Sequence, residues 1–282
     1  MSDHRHGFVF QERALRGVHA QCDGLMSDVL ARHSYPAILQ PLLGDLMLAC
    51  ALLSAHLKDD SALTLQLRGP GPLSLAMAEC SAQGDVRVYG HYEAERLQPD
   101  MSFSDLLGAA QLALTLEHAG QRYQGIVQLQ AAGLALSLET YFAQSEQLPS
   151  LILLAHQGER HAGLLLQALP GATATEDFEY ASVLARTCRD AELLDLDSAT
   201  LLHRLYHEDD LSLAPAAPLR FHCRCDRQRS LDALLSLGSA DLEKLLMERH
   251  GSINVDCELC RQRQTFTTFD LLAYLQPTTR VQ

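Results

Sequence analysis

The sequence predicts an α+β protein with a mostly antiparallel N-terminal sheet domain carrying helices, a helical linker and a small C-terminal domain. Three observations carry this. Between residues 63 and 169, short runs of alternating or continuous apolar residues are separated by turn residues, the pattern of strands in a packed sheet. Residues 176–210 turn acidic while keeping apolar positions at helical spacing. Four of the eight cysteines then fall in two tight pairs, Cys223-Arg-Cys225 and Cys257-Glu-Leu-Cys260, which mark the last domain as zinc-binding. The expected boundaries are 1–172 for the N-terminal domain, 173–218 for the linker and 219–282 for the zinc-binding domain.

A chain of 282 residues with 47% hydrophobic residues can bury a sizeable core. Its net charge of −13 argues against the nonspecific phosphate affinity of nucleic-acid binders. The start, Met1-Ser-Asp-His-Arg-His-Gly, lacks an apolar signal core. Leu42–Leu57, interrupted by Asp45, is short for a bilayer span. A cytoplasmic protein with reduced thiols is expected, and there paired cysteines point to metal or redox chemistry more than to structural disulfides.

In chain order, Pro36–Lys58 reads as a buried helix, with Ile38, Leu42, Leu46, Cys50, Leu53 and Leu57 recurring at helical spacing. Cys50 lies on that apolar face as a small core residue, and Cys22, Cys80 and Cys188 are read the same way. Leu63 to Leu67 and Leu73 to Met77 read as strands joined by the turn Gly69-Pro-Gly-Pro72. Those glycines do not open a dinucleotide loop, because Pro72 stands where a helix would run. Val86–Tyr92, Gln111–Glu117 and Tyr123–Leu129 are three further strands. Gly133–Gln147 returns to helical spacing, and Leu151–His156 and Ala162–Leu169 are strands ending at Pro170-Gly171.

Residues 176–210 hold ten acidic and three basic side chains. Their apolar positions, among them Phe178, Leu193, Leu205 and Tyr206, read as short amphipathic helices that need a surface to lie on. Ala214-Pro-Ala-Ala-Pro218 reads as a flexible joint. In the last domain, helices are expected near Ser230–Leu237, Ala240–Arg249 and Thr268–Leu275, with a brief strand at Ile253–Asp256. So few large apolar residues make this unit marginal without a staple.

Cys223, Cys225, Cys257 and Cys260 can aim four sulfurs at one point, the donor set of a tetrahedral zinc site. The competing readings are merely neighbouring cysteines or an iron–sulfur cluster. Four thiolates close the coordination sphere, so a hydrolytic centre is not expected, leaving a structural knuckle or a redox switch. His203 and His207, four apart on a helix, are a weaker chelating pair. No Gly-x-Ser-x-Gly elbow or defensible pair of catalytic carboxylates occurs, so the chain is not expected to be an enzyme.

The chain resembles the 33-kDa heat-shock protein family of redox-regulated bacterial holdase chaperones. The resemblance rests on Arg122-Tyr-Gln-Gly125, Tyr141-Phe142 with Ser145-Glu-Gln-Leu-Pro149, Leu164-Leu-Leu-Gln167, Arg204-Leu-Tyr-His-Glu208 and the two cysteine pairs. It implies a reduced form, inactive with one zinc on Cys223, Cys225, Cys257 and Cys260. It also implies oxidation to Cys223–Cys225 and Cys257–Cys260 disulfides, zinc loss, and unfolding of switch and linker. The activated protein in such families is commonly dimeric and holds unfolding clients without ATP. Magnitudes agree: structural zinc supplies about 10–16 kcal/mol of apparent binding energy, whereas closing three- or four-residue disulfide loops supplies only about 1.6–1.9 kcal/mol. The family usually has Gly after the second pair and an aromatic residue three positions further on; here Arg261 and Gln264 stand there. A constitutive zinc-ribbon interaction module is the alternative.

Overall fold

A computed structural model describes residues 3–169 and 174–275. The chain divides into two compact units, 1–222 and 223–282, and the architecture is the expected α+β. The first unit opens with a hairpin, β1 (His4–Phe10) and β2 (Leu15–Cys22), followed by α1 (Leu25–Leu30) and α2 (Gln40–Leu53). Next come β3 (Ser61–Arg68), β4 (Leu73–Ser81), β5 (Asp85–Tyr92), α3 (Phe103–Leu107), β6 (Gln111–His118) and β7 (Gln121–Gln128). Then α4 (Leu134–Ser145), β8 (Ser150–Gln157) and β9 (Arg160–Ala168) follow. The acidic stretch forms α5 (Ala174–Ala185), α6 (Asp190–Asp195) and α7 (Ser198–Tyr206). Short strands β10 (Leu211–Leu213), β11 (Ala217–Pro218) and β12 (Arg220–Phe221) complete the unit.

Two sheets result. One runs β10-β1-β2-β9-β8, with β11 also on β1; the other runs β12-β5-β4-β3-β6-β7. Every pairing is antiparallel except β12 on β5. Helix α2 lies between the sheets, and every residue from Leu46 to Leu52 is buried. It is shorter than the expected 36–58: Pro41 sits in its first turn, and a single 3-10 turn, Ser54–His56, follows its end. With cover on both sides the helix is apolar nearly all round rather than along one stripe.

Strand β9 is buried on both faces, which explains its unbroken apolar run. Leu165 joins the core around α2, while Leu164 and Leu166 face a second core shared with Leu193, Leu201 and Tyr206 of the acidic helices. The surface those helices required is therefore the outer face of the β9 sheet. Ala214–Pro218 is not a free joint. Ala214 N–H donates to Gly7 O at 2.8 Å, and both β10 and β11 pair with β1, an edge position where proline is tolerated. The Pro170-Gly171 turn lies outside the described residues.

The second unit holds α8 (Arg227–Leu235), α9 (Ser239–Glu248), the hairpin β13 (Ser252–Asp256) and β14 (Arg263–Thr267), and α10 (Thr268–Leu275). Its buried core is small: Leu234, Leu242, Leu246, Ile253, Phe266 and Leu271.

Candidate metal centre

Two local devices bring the cysteines together. Cys223 and Cys225 precede α8, whose start is fixed by Asp226 accepting the Arg229 N–H at 2.7 Å. Cys257 and Cys260 form the turn between β13 and β14. There Cys257 N–H donates to Gln262 O at 2.9 Å and Arg261 N–H donates to Cys257 O at 2.8 Å. Arg263 grips Asp256 at 2.7 and 2.8 Å, closing the base of the turn. The chain reverses through Arg261 at φ 60°, a left-handed conformation that glycine adopts without strain and a side chain resists. The departure from the family pattern at this position thus has a structural consequence.

All four sulfurs lie within 4.8 Å of one another. Cys223 Sγ is 3.7 Å from Cys257 Sγ, and Cys225 Sγ is 3.2 Å from Cys260 Sγ. A tetrahedron with Zn–S bonds of about 2.3 Å has sulfur–sulfur edges of about 3.8 Å, so the cluster is near the size that ion needs. The donor set is chemically uniform and half-buried. Burial, and then the Cys260 thiol, push the Cys225 thiol up, and burial raises that of Cys260. Burial also opposes ionisation of Cys257, but the backbone amides of Cys260 and Leu259 outweigh it and hold that thiol below its ordinary value. Four sulfurs can share so small a volume as anions only around a cation. Both of these short separations run between the pairs, so proximity alone does not select a disulfide pattern.

The remaining cysteines stand apart. Cys22, Cys50 and Cys80 are fully buried, and burial drives each thiol up. The Cys50 thiol donates to Leu63 O at 3.3 Å. Cys188 is half-buried, its thiol pushed up to about 11 by burial and by Glu192. A second group of side chains that could hold a metal ion, Asp45, His156 and His161, gave no sequence signal, because Asp45 is more than a hundred residues from the two histidines.

Fold and site define a two-unit α+β protein whose smaller unit carries four cysteines placed so that they could hold a metal ion. The family model described as Hsp33 protein matches residues 3–267. The 33 kDa chaperonin of Azotobacter vinelandii is 45% identical over 271 residues, covering 94% of this chain and 91% of the relative. That of Pseudomonas aeruginosa is 43% identical over 277 residues, covering 96% and 93%. The crystal structure of the 33 kDa chaperonin (heat shock protein 33 homolog) from Thermotoga maritima shares the fold, with a TM-score of 0.83 at 21% identity over 96% of this chain and 97% of that one. The chain belongs to the Hsp33 family.

Proposed function

We propose that this protein is a non-enzymatic, ATP-independent chaperone of the cytoplasm that binds unfolding proteins once its four-cysteine centre is oxidised. The carrying observation is the convergence of Cys223, Cys225, Cys257 and Cys260 within 4.8 Å, in a unit with only a small core and in a chain of the Hsp33 family. When bound, zinc would hold the four sulfurs as thiolates and tie the α8 end of the unit to the β13–β14 turn.

Oxidation proceeds in two equivalent steps. Cys223 and Cys225, as thiolates, together give two electrons to one molecule of peroxide, which takes two protons from the medium, so that one S–S bond and two waters form; Cys257 and Cys260 do the same. The four donors are then consumed. Two tiny loops do not replace the lost cross-link, so the second unit unfolds and its apolar residues become available to clients. The active form is proposed to be a homodimer. Nucleic acid and membrane are not proposed as partners.

The test combines zinc content, free-thiol count and suppression of client aggregation, before and after peroxide. One zinc per reduced chain is expected, with loss of zinc and of four thiols accompanying the gain of holdase activity. A chain that keeps its zinc under peroxide and binds a partner only while zinc-loaded would instead be a constitutive zinc-ribbon module.

A further inference from the structure

The first unit carries a second cluster of metal-ligating side chains that the proposed function does not use. His156 and His161 are direct cross-strand partners in the β8–β9 hairpin, so their rings stand side by side on one face. Helix α2 brings Asp45 to that face. Asp45 Oδ1 lies 3.3 Å from His156 Nδ1 and 3.2 Å from His161 Nδ1. One ligand atom from each of the three residues falls within 4.8 Å of the others.

The space is shaped for this arrangement. A Cβ at Gly44 would stand 2.1 Å from the His161 ring, so the glycine before Asp45 is what admits the imidazole. The His161 side chain is fully buried, with Nδ1 turned to Asp45 and Nε2 without a hydrogen-bond partner. Asp45 and His156 are 23% and 41% exposed, which leaves an entry path from solvent. Burial pushes the Asp45 carboxyl up, but hydrogen bonds to His156 and His161 outweigh it and hold the group below its ordinary range. A buried carboxylate already serving two imidazoles is a ready ligand.

We propose that Asp45, His156 and His161 bind a divalent cation of the zinc class, independently of the four cysteines. Two imidazoles and one carboxylate suit zinc, nickel or copper and do not suit calcium or magnesium, which take oxygen ligands. Water fills the remaining coordination positions. His161 Nε2 lacks the outer partner that usually orients a ligating imidazole, so this site is weaker than a four-thiolate centre. The bound ion would pin the first half of α2 to the hairpin beside it.

The experiment is a calorimetric zinc titration of the reduced full chain already carrying its first equivalent. A second equivalent, weaker than the first, is expected at neutral pH. Asp45→Asn and His156→Ala should each abolish the second equivalent while keeping the first, and His203→Ala should keep both. His156 is exposed enough to be replaced without loss of core packing, so its variant decides the matter if Asp45→Asn fails to fold. The proposal is overturned if the wild type takes no second zinc. It is equally overturned if His156→Ala takes up the second zinc unchanged.

Discussion

Single residues set how tightly this chain would hold a metal on its four cysteines and how firmly it holds its helices. Arg261 sits at φ 60° directly after Cys260. A left-handed residue with a side chain costs about 1–2 kcal/mol, of which glycine's greater freedom in the unfolded chain returns about 0.5–1. Arg261→Gly is therefore expected to tighten zinc binding by about two- to fivefold, read by competition with a chromophoric chelator. Equal or weaker binding would show that the turn does not strain the centre. His19 acts at a different place. It is fully buried on β2, its Nδ1 2.8 Å from Ser198 Oγ and its Nε2 3.4 Å from Leu193 O, both on the acidic helices. Burial, with His4 and His6 adding, lowers its imidazole to about 4. His56, half-buried, falls to about 4 as well, through that burial first and then through Arg16 and Arg5. Between about pH 6.5 and 4 the unfolded chain binds more protons than the folded one, so this stability is complete above 6.5 and lost as pH falls. Each histidine contributes on the order of 3 kcal/mol across that window. Urea melts of the reduced protein at neutral pH and near pH 4.5 should show the fall, and His19→Gln should flatten it.

At the scale of elements, one arginine ties the acidic helices to the sheet. Arg13, in the β1–β2 turn, meets Asp209 at 2.7 Å and Asp177 at 3.1 Å, and its guanidinium lies 4.1 Å over the Tyr180 ring. Tyr180 OH donates to Asp209 at 3.1 Å. The two carboxylates are nearly buried and Arg13 is about one-third exposed. Its loss should therefore cost less than breaking a fully buried pair, about 2 kcal/mol. Arg13→Ala is expected to speed amide exchange across α5 and α7 in the reduced protein and to leave α2 unchanged. Exchange that stays the same would show that Arg13 does not hold these helices. This hairpin was also the least legible part of the sequence. β1 and β2 bury Arg5 and His19, and polar residues inside a strand erase the alternation that betrays it. Arg5 is satisfied only by distant groups, Ala51 O, Ser54 Oγ and Ala82 O, each at 2.7 Å. β14 was missed for a similar reason, since Phe266 alone among its residues is buried. The β3–β4 and β8–β9 strands were legible because apolar side chains decide them locally. So were the four cysteines, because two short spacings mark two chelating pairs, whereas Asp45 joins His156 and His161 only through the packing of α2 on the β8–β9 hairpin.

The whole molecule offers a graded order of stability, and oxidation should climb it from the weak end. Among its described residues the second unit has six buried apolar side chains, and under the proposed function it depends on its metal, so residues 223–275 should lose amide protection first. The chain then runs back into the first unit through β12, β11 and β10, which are two, two and three residues long. Such short strands open easily once one end is free. Beyond them lie α7, α6 and α5 of nine, six and twelve residues, each too short to persist without its surface. Releasing them would uncover Phe8, Phe10, Leu15, Leu164 and Leu166 on the outer face of the sheet, together with the helices' own Leu193, Leu201 and Leu205. That is a contiguous apolar surface of the kind an unfolding client would cover. Hydrogen exchange on peroxide-treated, metal-free protein should therefore show protection lost across 223–275 and sharply reduced across 174–221. Residues 40–53, enclosed between two sheets, should remain protected. Heat should enlarge the middle change, and Arg13→Ala should produce it at a lower temperature. Full protection of 174–221 in an oxidised, aggregation-suppressing sample would move the client surface to the second unit.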